Sequence, residues 1–153
     1  FHPNLFVMQT FSKAWGLAGL RLGIGFASNE IITVLNKIKP PYNINTLTQE
    51  KTSEILGKLD ERNEAIDIIL AERILLAKAL EEIACVRKIY PSDANFILVK
   101  IDDATNIYNK LVEKSIIVRN RSNVELCENC LRITIGTSKE NKLVIAAIKE
   151  ITS

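Results

Sequence analysis

Apolar positions along the chain change period more than once, and each change predicts an element. Asn4–Gln9 is a short, nearly unbroken apolar run. Such a run predicts a strand buried on both faces. Arg21–Ala27 predicts a second strand, with Gly23 and Gly25 marking close backbone approach. Ser28 is placed to cap a helix whose Ile31, Ile32, Leu35 and Ile38 recur at helical spacing, and Pro40-Pro41 ends it. A long helical region follows from about 46 to 84, with a break at Gly57. Its second half is apolar on a wide face through Ile66, Ile69, Leu70, Ile74, Leu76, Ala77, Leu80 and Ile83. From Cys85 the pattern alternates. Val86–Tyr90 and Asn95–Ile101 predict strands split by the turn Pro91-Ser92-Asp93. A helix is predicted over 104–114, a strand over Ile116–Val118, a polar loop over 120–129 and a strand over Leu131–Ile135. Thr137-Ser138-Lys139-Glu140 has the spacing of a capping box before a last helix carrying Val144, Ala147, Ile148 and Ile151. The order β-β-α-β-β-α of this final part predicts a small sheet with helices on one face, an α+β layer.

Composition narrows the functional classes. The 153 residues are 47% hydrophobic and 25% charged, with a net charge of +2. Basic residues are interspersed with nearly as many acids, so no clustered basic face for nucleic acid is expected. No apolar run reaches the roughly 20 residues that span a bilayer. Phe1-His2-Pro3-Asn4 lacks the charged start and apolar middle of a signal peptide. Three cysteines make no disulfide framework, and the expected location is the reducing cytoplasm. Cys127-Glu128-Asn129-Cys130 is a lone CxxC, and Cys85 and His2 are the only other soft ligands. A structural zinc site wants four ligands, so no metal is expected. The single histidine is at the terminus, which disfavours Ser-His or Cys-His catalysis, and no Walker-type glycine loop is present.

The chemistry concentrates in Thr10-Phe11-Ser12-Lys13-Ala14-Trp15-Gly16-Leu17-Ala18-Gly19-Leu20-Arg21-Leu22-Gly23. Lys13 sits just past a predicted strand, where α/β folds place an active-site cleft. A desolvated lysine amine can condense with a carbonyl. Arg21 offers a fork of donors matched to phosphate, and Thr10 and Ser12 add hydroxyls. These types suit an aldehyde cofactor bearing a phosphate. Taken alone they equally suit a solvated lysine followed by turn glycines.

A resemblance separates the two readings. Ser12, Lys13, Gly16, Leu17, Ala18, Gly19, Arg21 and Gly23 match the S-K-x-x-G-L-A-G-x-R-x-G pattern. The segment therefore resembles the pyridoxal-phosphate (PLP) lysine motif of the class I/II, fold-type I aminotransferases. Further along, Lys39–Asn45, Ala94–Leu98, Ile116–Arg119 and Cys130–Thr137 are similar, in that order, to the histidinol-phosphate aminotransferases. The resemblance implies PLP held covalently by Lys13, with Arg21, Ser12 and Thr10 on its phosphate. It implies Arg132 gripping a substrate carboxylate or phosphate, and Arg119 helping to hold the phosphate of histidinol phosphate. Read from the residues alone, Arg132 is a strand arginine that could pair with a surface acid, and Arg119 is one more charge beside Arg121.

The same resemblance implies an organisation: residues 1–45 as the last piece of a PLP-binding large domain, 46–84 as a connecting helical region, and 85–153 as a small C-terminal α+β domain with a mixed sheet. It implies a homodimeric, cytoplasmic enzyme of histidine biosynthesis that converts L-histidinol phosphate and 2-oxoglutarate to imidazole acetol phosphate and glutamate. In the family, an aspartate on the pyridine nitrogen, an asparagine near the ring oxygen and a stacking aromatic come from sequence that would precede Phe1. No acid precedes Lys13 here. The chain alone is therefore expected to be an inactive C-terminal part. The alternatives are a decarboxylase of the threonine-phosphate type, sharing Lys13, Arg21 and Arg132, and a non-catalytic domain that takes no PLP.

Overall fold

The computed structural model describes residues 2–152; the outermost residues of the expected 1–45 and 85–153 domains lie outside them. Chain contacts define two units, one ending at Ile66 and the other beginning at Asp67. The boundary falls inside a helix.

The first unit opens with β1 (Val7–Thr10) and β2 (Gly23–Phe26), paired antiparallel from Val7↔Phe26 to Thr10↔Gly23. β1 was expected to be buried on both faces. It is exposed throughout, Met8 at 79%, because its apolar run pairs only with β2 in this chain. Helix α1 (Asn29–Ile38) stops before Pro40-Pro41 as predicted. Ser28 stands at its N-cap position, but the hydroxyl makes no capping bond and is buried without a partner. Helix α2 (Thr46–Leu56) is capped by Asn45, whose Oδ1 accepts from Thr48 N at 2.8 Å. Gly57 separates it from α3 (Leu59–Glu81), so the expected break is real. Among the described residues, no helix is long and apolar enough to cross a membrane.

The second unit holds the core. β3 (Val86–Ile89), β4 (Phe96–Ile101), β5 (Arg119–Asn120) and β6 (Cys130–Thr134) form a sheet in the order β3-β4-β6-β5. All three pairings are antiparallel, not mixed as expected. Helices α4 (Ala104–Glu113), α5 (Ser138–Thr152) and the second half of α3 cover one face. Ile97, Val99, Ile101, Leu131 and Ile133 point from the strands into a cluster with Leu76, Leu80, Ile107, Leu111, Val144 and Ile148. Fully burying each such side chain contributes about 1.5–3 kcal/mol. Because side chains alternate along a strand, Phe96, Leu98, Lys100, Arg132 and Thr134 face the other way.

The strand predicted over Ile116–Val118 begins later, at Arg119. The α4 C-terminus explains the delay. Ser115 is left-handed (φ 61°), Ser115 N donates to Val112 O at 2.8 Å, and Ile116 N reaches back to Leu111 O at 2.8 Å. That is a Schellman closure, and it consumes the first predicted strand residue. The capping box at Thr137 is present. Glu140 N donates to Thr137 Oγ1 at 3.3 Å, and Thr137 N donates to Glu140 Oε2 at 2.7 Å.

Candidate active site

The sequence-predicted site residues divide between the two units. Thr10, Ser12, Lys13 and Arg21 lie in the first, and Arg119 and Arg132 in the second.

In the first unit, the β1–β2 connection is a closed loop. Phe11 N donates to Leu22 O at 3.3 Å, Leu17 N to Phe11 O at 3.0 Å, and Gly16 N to Lys13 O at 2.9 Å. Gly16 takes φ +65°, a conformation that a side chain would strain. Leu17 is the buried anchor of the loop. Lys13 thus rides exposed on a backbone turn. Among the described residues its amine has no hydrogen-bond or ion-pair partner. Thr10 Oγ1 accepts from Ser12 N at 3.1 Å, which leaves the Thr10 hydroxyl proton to donate elsewhere. Arg21 is left-handed (φ 52°), an unfavourable state for a side-chain-bearing residue. Its Nη1 donates to Ala18 O at 3.1 Å, and Nη2 carries two more N–H donors. The donor set of this loop fits a phosphate together with an amine-reactive carbonyl.

In the second unit, Arg132 sits mid-β6 on the helix-free face, opposite Leu98 of β4 on one side and Arg119 of β5 on the other. Directly opposed residues in antiparallel strands bring their Cβ atoms to about 4.5–5.5 Å, and like charges there repel. The Arg132 guanidinium lies 5.0 Å from the centre of the Phe96 ring, and its Nε is buried with no partner. A buried, unpaired charged donor is costly. Two arginines at paired strand positions, one with an unpartnered Nε, offer donors suited to an anion, carboxylate or phosphate. The surface acid that could have paired with Arg132 is not there among the described residues. Sequence reading missed Phe96 as the platform for Arg132, since the two are brought together only by the β4–β6 register.

A cleft of about 300 Å³ between α4 and α5, lined by Lys110, Glu113, Lys114, Glu150 and Ile151, lies on the helix side of the sheet. Burial pushes the Cys130 thiol up, and the neighbouring Cys127 adds to the shift, so its thiolate is disfavoured. Among the described residues, no three His, Cys, Asp or Glu side chains group as metal ligands.

Residues 2–148 match the family described as aminotransferase class I and II, and the chain belongs to that family. At the level of individual relatives, it is 55% identical over 148 residues to the histidinol-phosphate aminotransferase of Flavobacterium johnsoniae, covering 97% of this chain and 42% of that protein. The chain thus spans less than half the length of the curated relatives it matches. A histidinol-phosphate aminotransferase from Sinorhizobium meliloti, solved in complex with pyridoxal-5'-phosphate, shares the fold with a TM-score of 0.83. Its identity is 24%, over 98% of this chain and 41% of that one. The L-threonine-O-3-phosphate decarboxylase from Porphyromonas gingivalis matches with a TM-score of 0.85 and 25% identity, over 97% of this chain and 47% of that one. The relatives named in the curated match are histidinol-phosphate aminotransferases, whereas the decarboxylase is a neighbour in fold.

Proposed function

We propose that this chain is the C-terminal part of a PLP-dependent histidinol-phosphate aminotransferase, acting on L-histidinol phosphate with 2-oxoglutarate as amine acceptor. Residues 1–45 would complete a large domain, 46–84 connect, and 85–153 form the small domain. The working protein would be a cytoplasmic homodimer of longer chains. The single observation that carries the substrate side of this reading is the Arg119–Arg132 cross-strand pair with its unpartnered Nε, a site shaped for an anionic substrate group.

PLP, when bound, supplies an electron sink for the bonds at the substrate's reacting carbon. The Lys13 amine would hold the cofactor through its carbonyl, and as a free amine it would move the proton at the substrate's reacting carbon as general base and acid. Arg21, Ser12 and Thr10 bind the cofactor phosphate through charge-assisted and hydroxyl hydrogen bonds. Arg132 and Arg119 orient the substrate through its phosphate or carboxylate.

Incubation with PLP, borohydride reduction and peptide mapping tests the cofactor side. In a form extended to the length of the relatives a single adduct on Lys13 is expected, and labelling scattered over the surface lysines there would refute it. The substrate side is tested in a form extended to the length of the relatives. Glutamate formed from L-histidinol phosphate and 2-oxoglutarate is expected, whereas carbon dioxide released from L-threonine phosphate instead would replace this reading with the decarboxylase.

A further inference from the structure

The loop that bears Lys13 is held by a side chain distant in sequence. Phe11 and Trp15 flank Lys13 two residues to either side, their ring centroids 6.2 Å apart and their planes tilted by 59°. The guanidinium of Arg62, in the first turn of α3, lies 4.7 Å from the centre of the Trp15 ring. Arg62 Nε and Nη2 both donate to Asn63 Oδ1, at 3.2 and 2.7 Å, which fixes the plane of the guanidinium. All three side chains are half-buried, so the attraction between cation and ring is only partly screened.

We infer that Arg62, stacked on Trp15, is a positioning residue for the Lys13 amine. The inference rests on reading Lys13 as the cofactor lysine. Its physical basis is short. With its amine unpartnered among the described residues, the flexible Lys13 side chain is tethered only through its backbone, which fixes where the stem begins and so what the amine can reach. That backbone belongs to the turn Lys13–Gly16, and Trp15 is inside the turn. A force on the Trp15 ring is therefore a force on the carbonyl and Cα of Lys13. Arg62 supplies that force from a helix, a rigid element, while Phe11 braces the ring from the strand end. Positions 14 and 15 are the unspecified pair of the motif, so the motif leaves open what holds them.

Trp15 is the only tryptophan in the chain, which makes the contact directly readable. The test compares the wild-type chain with R62Q and R62K in three measurements: Trp15 fluorescence without cofactor, the yield of borohydride-fixed PLP on Lys13 at limiting PLP, and the pH at which that yield is half-maximal. R62Q is expected to shift Trp15 emission and to lower Lys13 labelling about two- to fivefold, the range set by one cation–ring contact. R62K is expected to restore most of both, and the pH of half-labelling should move in R62Q alone. A Lys13 yield and pH profile in R62Q equal to wild type would overturn the inference while leaving Lys13 as the cofactor lysine. A wild type extended to the length of the relatives that takes no PLP on Lys13 would overturn both. Equal loss in R62Q and R62K would also overturn it, since the retained cation would then be irrelevant. Should R62Q lose its helical circular dichroism, W15F takes its place, because it keeps a ring with a weaker cation attraction. An unchanged Lys13 yield in W15F overturns the inference, and a reduced one supports it.

Discussion

Replacing Arg119 by Gln should make the free protein more stable, opposite to the usual effect of a mutation. Arg119 and Arg132 face one another directly across β5 and β6. Glutamine keeps much of the side-chain length and removes one of the two charges. Two unit charges set about 6 Å apart, slightly more than the general Cβ spacing of an opposed pair, repel by roughly 0.7 kcal/mol at the dielectric of water. Measured cross-strand pairs fall in the range of about 0.2–1 kcal/mol. Arg119 is exposed, and Phe96 already offers its ring face to Arg132, so the expected gain is about 0.5 kcal/mol or slightly less. The assay is urea unfolding followed by far-ultraviolet circular dichroism at two salt concentrations. Raising salt from about 0.01 M to 1 M shortens the screening length from roughly 30 to 3 Å, which should erase the advantage of R119Q. Inorganic phosphate should do more than screen. An anion bound by both guanidiniums stabilises the wild type by mass action, so at equal ionic strength phosphate should reverse the order of the two proteins. A variant less stable than wild type at low salt, or an advantage untouched by salt, would refute the electrostatic reasoning. Equal response of both proteins to phosphate would refute the anion grip.

Leu80→Ala, at a side chain with 0% exposure in the core of the second unit, should cost about 3–5 kcal/mol and lower the urea midpoint without changing its slope. Asn141→Ala should cost about 2–3 kcal/mol in the same assay. Asn141 Nδ2 donates to Glu72 Oε2 at 2.8 Å and Gly136 O at 3.1 Å, and its Oδ1 accepts from Gly136 N at 3.0 Å, so the deletion strands half-buried partners around the turn after β6. Acid unfolding should report two carboxylates. Arg87 holds the Asp102 carboxyl below its usual range through hydrogen bonds and charge, and Thr137 does the same to Glu140 through its hydroxyl and backbone N–H. Stability from a depressed carboxyl is fully present above its unfolded value, about 3.9–4.3, and is lost as pH falls through the lower folded value. D102N and E140Q should therefore each flatten the stability profile below about pH 4 and leave its slope above pH 6 unchanged, as checked by melts across that range.

Much of this protein is local, and local features were legible. The Pro40-Pro41 stop, the Gly57 break and the Thr137–Glu140 capping box each span a few residues, so their chemistry is complete within the stretch that encodes them. The helical stripe through Leu76, Leu80 and Ile83, and the alternation of Ile97, Val99 and Ile101, likewise marked the core, because periodicity reports which side of an element avoids water. What tertiary structure alone decided is everything that needs a partner far along the chain. The exposure of β1 depends on which strands flank it, and no feature of Leu5–Met8 encodes that. The start of β5 was moved by the closure of α4 through Ser115. The strand order β3-β4-β6-β5, and with it the meeting of Arg132 with Arg119 and Phe96, follows from a register that a one-residue slip would reverse. Arg62 and Trp15, separated by a strand and two helices, meet only because the chain folds back on itself. Local order is written in spacing, and the direction in which each charged side chain finds its neighbour is decided by packing.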